Sequence, residues 1–195
     1  FNGGFEASRL YIFAGGSGSG KSTLMLNCIA NCTNTVLIPE KDKDKKVENV
    51  FIYVTLENSV DETLIRLYQM LFNKVIKDAI GDVVKHGKKY IEDQIKAKLL
   101  QTKSTLILKY FPGMSISTVD LSMVLDDAIL EYGKESIKGL YVDYLDLLKT
   151  DVKYDLYRLE LGFITLSLKN LAVHYGIPII SATQLNKSAY RTADS

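Results

Sequence analysis

Gly15-Gly16-Ser17-Gly18-Ser19-Gly20-Lys21-Ser22 lies between an apolar run, Leu10-Tyr11-Ile12-Phe13-Ala14, and a stretch with helical spacing that begins at Lys21. The octapeptide has the form G-x-x-x-x-G-K-[ST], and a strand before it with a helix after it is the context this phosphate-binding loop requires. Glycines reach backbone conformations closed to other residues and carry no Cβ to hold an anion away, so the loop N–H groups wrap a phosphate. The helix that follows turns its positive end on the same place. Lys21 supplies a point charge to the β- and γ-phosphates of a nucleoside triphosphate, and the Ser22 hydroxyl is placed to ligate Mg²⁺. The expected binding residues are therefore Gly15, Gly16, Ser17, Gly18, Ser19, Gly20, Lys21, Ser22 and Thr23, with ATP and Mg²⁺ as the cofactors. A Gly/Ser linker that happens to precede Lys-Ser is the bland alternative, and the strand and helix on its flanks argue against it.

Outward from the loop, apolar runs rich in β-branched and aromatic residues recur at 10–14, 49–55, 105–110, 138–143 and 177–182. Helical patterns fall between them at 21–31, 60–77, 88–101, 118–132 and 155–175. Strands alternating with helical crossovers build a parallel sheet covered by helices on both faces. Runs such as Phe51-Ile52-Tyr53-Val54 suit strands buried on both sides. The charge run Lys41 to Lys46 reads as a solvated connection, and the Lys-rich stretch 74–103 is longer than a minimal crossover.

Three further positions carry chemistry in this frame. The strand Lys138-Gly-Leu-Tyr-Val-Asp143 ends on a carboxylate at the edge where open α/β sheets place ligands, so Asp143 is the expected Mg²⁺-orienting acid. Asp146, three residues later, is the competing candidate. Glu57 lies two residues past the second strand, where a carboxylate activates the water that attacks a γ-phosphate; an ordinary carboxylate at a helix N-terminus is the alternative. Gln184 follows the fifth strand, and a neutral amide there can donate to a γ-phosphate oxygen and accept from water. A plain polar strand-to-loop junction is its other reading.

The chain has 195 residues, enough for one domain that buries roughly 70% of its unfolded surface without metals or disulfides. With 47% apolar and 24% charged residues it has the make-up of a globular domain. No stretch has the roughly 20 apolar residues of a membrane span, and the start does not read as a signal peptide. The first residue is not Met, which with the abrupt finish points to a piece of a longer protein. Cys28 and Cys32 are four apart on a helical pattern, where Cβ atoms lie about 5–6 Å apart against the roughly 3.8 Å of a disulfide. They are expected to be free thiols of a cytoplasmic protein. A net charge of +1 carries no global nucleic-acid signal, so contacts of that kind must come from a local basic cluster.

Gly-Gly-Ser-Gly-Ser-Gly-Lys-Ser, Thr55-Leu56-Glu57 followed by Arg66, Val142-Asp143-Tyr144-Leu145-Asp146-Leu147 and Ala182-Thr183-Gln184-Leu185-Asn186-Lys187, in this order, resemble the C-terminal motor domain of the DnaB family of replicative helicases. Within that family the likeness is greatest to the helicases of large tailed phages, and it spans nearly the whole chain. It implies a single α/β RecA-like P-loop NTPase domain over 1–195, with a predominantly parallel sheet. It implies that Glu57 is the catalytic base and Gln184 the phosphate sensor, with Lys21 beside them. The loops after the fourth and fifth strands would track single-stranded DNA in a homo-oligomeric, hexameric ring, with Lys149, Lys153, Lys187 and Arg191 on the phosphates. A primase and a helicase loader are further implied partners, in the host cytoplasm if the protein is phage-encoded. The family's arginine finger and its N-terminal domain lie outside this sequence. Two rivals stay open: a recombinase or repair ATPase of the same fold, and a clock-type regulatory ring ATPase without unwinding activity.

Periodicity gives one more expectation. Along 155–175, Leu156, Leu159, Phe163, Leu166 and Val173 fall on one face, and Leu161, Ile164, Leu168, Leu171 and Tyr175 on nearly the opposite one. A helix on a sheet needs one apolar stripe. The other stripe must be buried by something else; the face with Leu161, Ile164, Leu168 and Leu171 is expected to meet, at least in part, a neighbouring subunit or a segment outside this chain, with an adjacent helix of this domain as the alternative.

Overall fold

A computed structural model describes residues 4–35, 49–150 and 156–185. The elements run β1 (Leu10–Gly15), α1 (Lys21–Thr35), β2 (Asn49–Thr55), α2 (Val60–Phe72), α3 (Ile76–His86), α4 (Lys88–Leu100), β3 (Ser104–Tyr110), α5 (Thr118–Tyr132), β4 (Ile137–Asp143), α6 (Tyr157–Tyr175) and β5 (Ile179–Gln184). The five strands form one sheet in the order β1-β5-β4-β2-β3, and every neighbouring pair is parallel.

Alternation along β2 divides the core. Val50, Ile52 and Val54 point to one face, where Leu140, Val142 and Ile179 join them under Leu121 and Leu125 of α5 and Ile164, Leu168 and Ala172 of α6. Phe51 and Tyr53 point to the other, with Tyr141, Ile180 and Ala182, under Met25, Leu26 and Ile29 of α1. Period-2 side chains thus demand a helical layer on each side of the central strands. A third cluster packs α2, α3 and α4 on the flank of α1 through Leu67, Tyr68, Ala79, Ile91, Ile95 and Ala30. The outer strands β1 and β3 are less covered, and Ile12 in β1 is exposed.

Three sequence expectations are corrected. The helix expected over 60–77 stops at Phe72, because Asn73 takes a left-handed conformation (φ 50°, ψ 45°) and its N–H closes on the Gln69 carbonyl. A separate helix, α3, occupies Ile76–His86 inside the Lys-rich stretch. The fifth strand is displaced by two residues and ends on Gln184, which is therefore part of the sheet.

The two apolar faces of α6 exist, but the structure reverses their assignment. Ile164, Leu168, Ala172 and Tyr175 are buried against the sheet and α5, with Leu161 and Leu171 packed beside them. Leu159, Phe163, Leu166 and Val173 are exposed. The interface expectation for Ile164 and Leu168 is therefore wrong, because the sheet itself covers that stripe.

Cys28 and Cys32 are free thiols, and burial raises the pKa of both. Among the described residues no helix is long and apolar enough to cross a membrane. The charge run 41–46 lies outside the described residues.

Candidate nucleotide site

The phosphate loop leaves β1 at Gly15, and its geometry shows why glycine stands there. A Cβ on Gly15 would meet Ser19 Oγ at 2.5 Å, so another residue there would displace the Ser19 side chain across the loop. Gly20, the last glycine before the helix, has φ +84°, a region closed to most L-residues. α1 begins at Lys21, so its free N–H groups face the loop. The Lys21 ammonium donates to the carbonyls of Gly15 (3.1 Å) and Gly16 (2.7 Å), which arch it over the mouth of the loop.

Residues 17–23 line a polar cavity of about 280 Å³, closed by Glu57, Asn58, Arg66, Tyr144 and Gln184. It lies off the carboxyl ends of β1, β2, β4 and β5, where parallel sheets place ligands. A larger groove of about 440 Å³ between α2, α4 and β3 is lined mostly by aliphatic side chains such as Leu64, Ile95, Leu99 and Leu106. Its polar lining is Glu92, Lys96, Ser104 and Thr105, whereas the smaller cavity gathers the phosphate loop and the expected carboxylate and amide, so the smaller cavity is the chemical one.

Glu57 reaches the cavity from the turn after β2. The Thr55 hydroxyl donates to the Asn58 carbonyl (2.8 Å) and accepts from the Asn58 N–H (3.1 Å), which fixes that turn. A capping box between Ser59 and Glu62 then starts α2. Glu57 is thereby held on the rim and exposed.

Asp143 ends β4 and is buried, with 1% exposure. Its Oδ2 accepts from the Tyr53 hydroxyl at 2.8 Å. Burial foremost, then the Asp143 charge and that hydrogen bond, push the Tyr53 phenol well above its ordinary range, so it stays the donor. Asp143 Oδ1 is buried and has no hydrogen-bond partner among the described residues. Asn58 Nδ2 lies 3.5 Å from both Ser22 Oγ and Asp143 Oδ2, which sets the hydroxyl and the carboxylate on either side of one amide. A buried carboxylate with one orphaned oxygen, linked by its other oxygen through the Asn58 amide to a serine hydroxyl, fits a hydrated Mg²⁺, which takes one or two protein oxygens and fills its shell with water and phosphate. Among the described residues no cluster of three acidic, His or Cys side chains offers a dedicated metal cage, as expected for such a site.

Asp146, the competing acid, does not point into this cavity. Its Oδ1 accepts from Thr183 Oγ1 (2.7 Å) and its Oδ2 from the Gln184 N–H (2.8 Å). The geometry thus separates the two carboxylates: Asp143 faces the loop and Asp146 grips β5.

The expected residues therefore come together in part. Lys21, Ser22, Glu57 and Gln184 line one cavity and Asp143 adjoins it through Asn58; Arg66, Tyr144 and Asn58 line it as well, and Tyr53 supports Asp143. In the sequence Arg66 is a family marker without a role. Tyr53, Asn58 and Tyr144 escape sequence reasoning, since an apolar strand position and a turn amide give no local signal. Lys149 is exposed on the segment after β4, with its backbone N–H on the Ile116 carbonyl (2.7 Å), and it does not line the cavity. Lys153, Lys187 and Arg191 lie outside the described residues.

Against known proteins, the family model for the DnaB-like helicase C-terminal domain matches residues 1–195. The chain belongs to that family. This DnaB-like domain is 26% identical over 188 residues to the replicative DNA helicase DnaB of Rickettsia bellii, covering 95% of this chain and 36% of that protein. It is 26% identical over 197 residues to the DnaB of Mycoplasma pneumoniae, covering 98% of this chain and 38% of that protein. The DnaB-like chain thus spans little more than a third of these curated relatives. Among solved structures, the ATPase domain of another protein superposes with a TM-score of 0.70 at 16% identity, over 96% of this chain and 61% of that one. A DnaB-like replicative helicase, solved in a study of its interactions with primase, superposes with a TM-score of 0.70 at 15% identity, over 96% of this chain and 41% of that one. The fold is the α/β, RecA-like one expected from the sequence.

Proposed function

We propose that this DnaB-like domain is the motor of a ring-shaped replicative DNA helicase, which binds Mg-ATP in the polar cavity and couples its hydrolysis to translocation on single-stranded DNA. One observation carries the reading. The phosphate loop, a rim carboxylate and a strand-end amide line one cavity at the carboxyl edge of a parallel sheet, and a buried acid with an orphaned oxygen adjoins it through Asn58.

In this reading the loop N–H groups of residues 16–22 hold the β-phosphate, and the Lys21 ammonium exchanges its carbonyl partners for β- and γ-phosphate oxygens. Glu57 takes a proton from the water that attacks the γ-phosphorus, and the bond to the bridging oxygen breaks to leave ADP and phosphate. The Ser22 hydroxyl and Asp143, oriented by Tyr53, would hold Mg²⁺, which would neutralise charge on the phosphates. Gln184 donates its amide to the γ-phosphate and so senses whether it is attached. Lys149, Lys153, Lys187 and Arg191 contact DNA phosphates in the channel of a hexamer, with a primase and a loader as partners of the whole protein. The family supports this reading over the recombinase and clock-type rivals.

The test is unwinding of a forked duplex by the full-length protein in ATP and Mg²⁺. Strand separation that stops when Lys21 is replaced by Ala is the expected result. Homologous strand exchange without unwinding, or turnover indifferent to DNA, would replace the reading by one of the rivals.

A further inference from the structure

β5 runs between β1 and β4, but not for its whole length. Its pairing with β1 continues to Gly15↔Gln184, whereas its pairing with β4 ends at Val142↔Ser181. Past that point β4 turns away through a short 3-10 turn over Leu145–Leu147, and the β4-facing side of Thr183 and Gln184 loses its strand partner. A backbone N–H left there unpaired would be costly. The Asp146 carboxylate fills the gap: it is 7% exposed, and its two oxygens take the Thr183 hydroxyl and the Gln184 N–H. On its other side Gln184 is followed by Leu185, whose N–H donates to Gly15 O at 3.0 Å. The segment carrying Asp146 is itself tied to the loop before α5, through Met114 N–H to Leu147 O and Lys149 N–H to Ile116 O, both 2.7 Å.

We propose that Asp146 is a positioning residue that yokes the segment leaving β4 to the end of β5, fixing Gln184 against the phosphate loop so that the state of the γ-phosphate moves both segments as one body. The inference rests on the nucleotide-site reading above and adds a residue to it. Asp146 touches neither phosphate nor metal in this role. It acts through the backbone of Gln184, and side-chain hydrogen bonds of ionised groups are the stronger kind. The acceptor function, not the charge, is what the geometry requires. Asn at 146 can keep both bonds, because its Oδ1 accepts the Gln184 N–H while the Thr183 hydroxyl reverses to accept from Nδ2.

The experiment uses the full-length protein with Asp146→Ala, Asp146→Asn and Thr183→Val. Affinities for ADP and ATPγS are read by displacement of a fluorescent nucleotide, and affinity for an oligo-dT strand is read with each nucleotide bound. Asp146→Ala should hold ADP within about twofold of wild type while ATPγS binding weakens about tenfold, the size of one lost hydrogen bond to a charged group. Asp146→Asn should restore the wild-type ratio. Thr183→Val, which removes one bond and keeps the shape, should fall between, and it decides the matter if the Ala variant does not fold. The proposal is overturned if the ATPγS-to-ADP ratio is unchanged in Asp146→Ala and Thr183→Val, or if Asp146→Asn is as impaired as Asp146→Ala. In oligo-dT binding, the difference between ADP and ATPγS states should shrink in step with the ratio. A wild type that binds oligo-dT identically in both states sinks the motor reading instead, and the nucleotide ratio still decides on Asp146.

Discussion

In the proposed mechanism Lys21 and Glu57 act on the same phosphate at different moments, so their variants should fail differently. Lys21 is a charge facing the β- and γ-phosphates in the bound state as well as in the transition state. Lys21→Ala should therefore remove most ATP affinity together with turnover, measured by nucleotide displacement and phosphate release in the full-length protein. Glu57 sits exposed on a fixed rim turn and holds no loop group. Glu57→Gln should leave nucleotide binding near wild type and cut turnover about 10²-fold or more, the usual yield of a general base. Parallel losses of binding and turnover would instead make Glu57 a structural residue. The difference between Asp143 and Asp146, three residues apart, teaches the same lesson about context. Both are buried acids at or just after the end of one strand, yet one keeps an oxygen without a partner among the described residues and the other spends both oxygens on β5.

At the scale of elements, α6 carries the sharpest test, because its buried stripe sits on the sheet and on α5. Ile164 and Leu168 are 3% and 0% exposed. Large-to-small changes at such sites cost about 2–5 kcal/mol each, against the roughly 5–15 kcal/mol that holds a domain together. Ile164→Ser with Leu168→Ser should unfold the domain in a thermal or urea melt, whereas Leu166→Ser on the exposed face should leave its stability nearly unchanged. The loop and the strands around it were legible in the sequence because their signals are local: contiguous glycines, an apolar run, a lysine at the helix start. Which stripe of α6 meets the sheet was not legible, since periodicity yields two faces and only the position of α5 chooses between them. The break at Asn73 was within reach, as Asn tolerates the left-handed turn that ends a helix, and Ile76, Ala79, Ile80 and Val83 repeat at helical spacing beyond it. The grip of Asp146 on Thr183 spans 37 residues and leaves no pattern in the chain.

For the whole molecule, a net charge of +1 gives no global attraction for nucleic acid, so the proposed binding of single-stranded DNA would rest on local basic residues presented together in the proposed ring. Binding by the assembled protein should weaken steeply as salt rises and should vary little with base sequence, as a titration of oligo-dT affinity against NaCl would read. An affinity flat across that titration counts against phosphate contacts.

The strand order also governs when the site is born. β1 carries the phosphate loop, yet its one neighbour in the sheet, among the described residues, is β5, the last strand. A chain emerging from the ribosome therefore makes its glycine loop well before β5 and cannot dock it until more than a hundred further residues have followed, a long closure that slows folding. Nascent chains halted before Ile179 should form the β2, β3 and β4 ladder but bind no nucleotide, and those halted well past Gln184 should bind it, as capture on immobilised ATP from stalled ribosomes would show. Competence for ATP should thus wait on β5, and a ribosome that has passed the glycine loop still carries a chain that cannot hold the nucleotide.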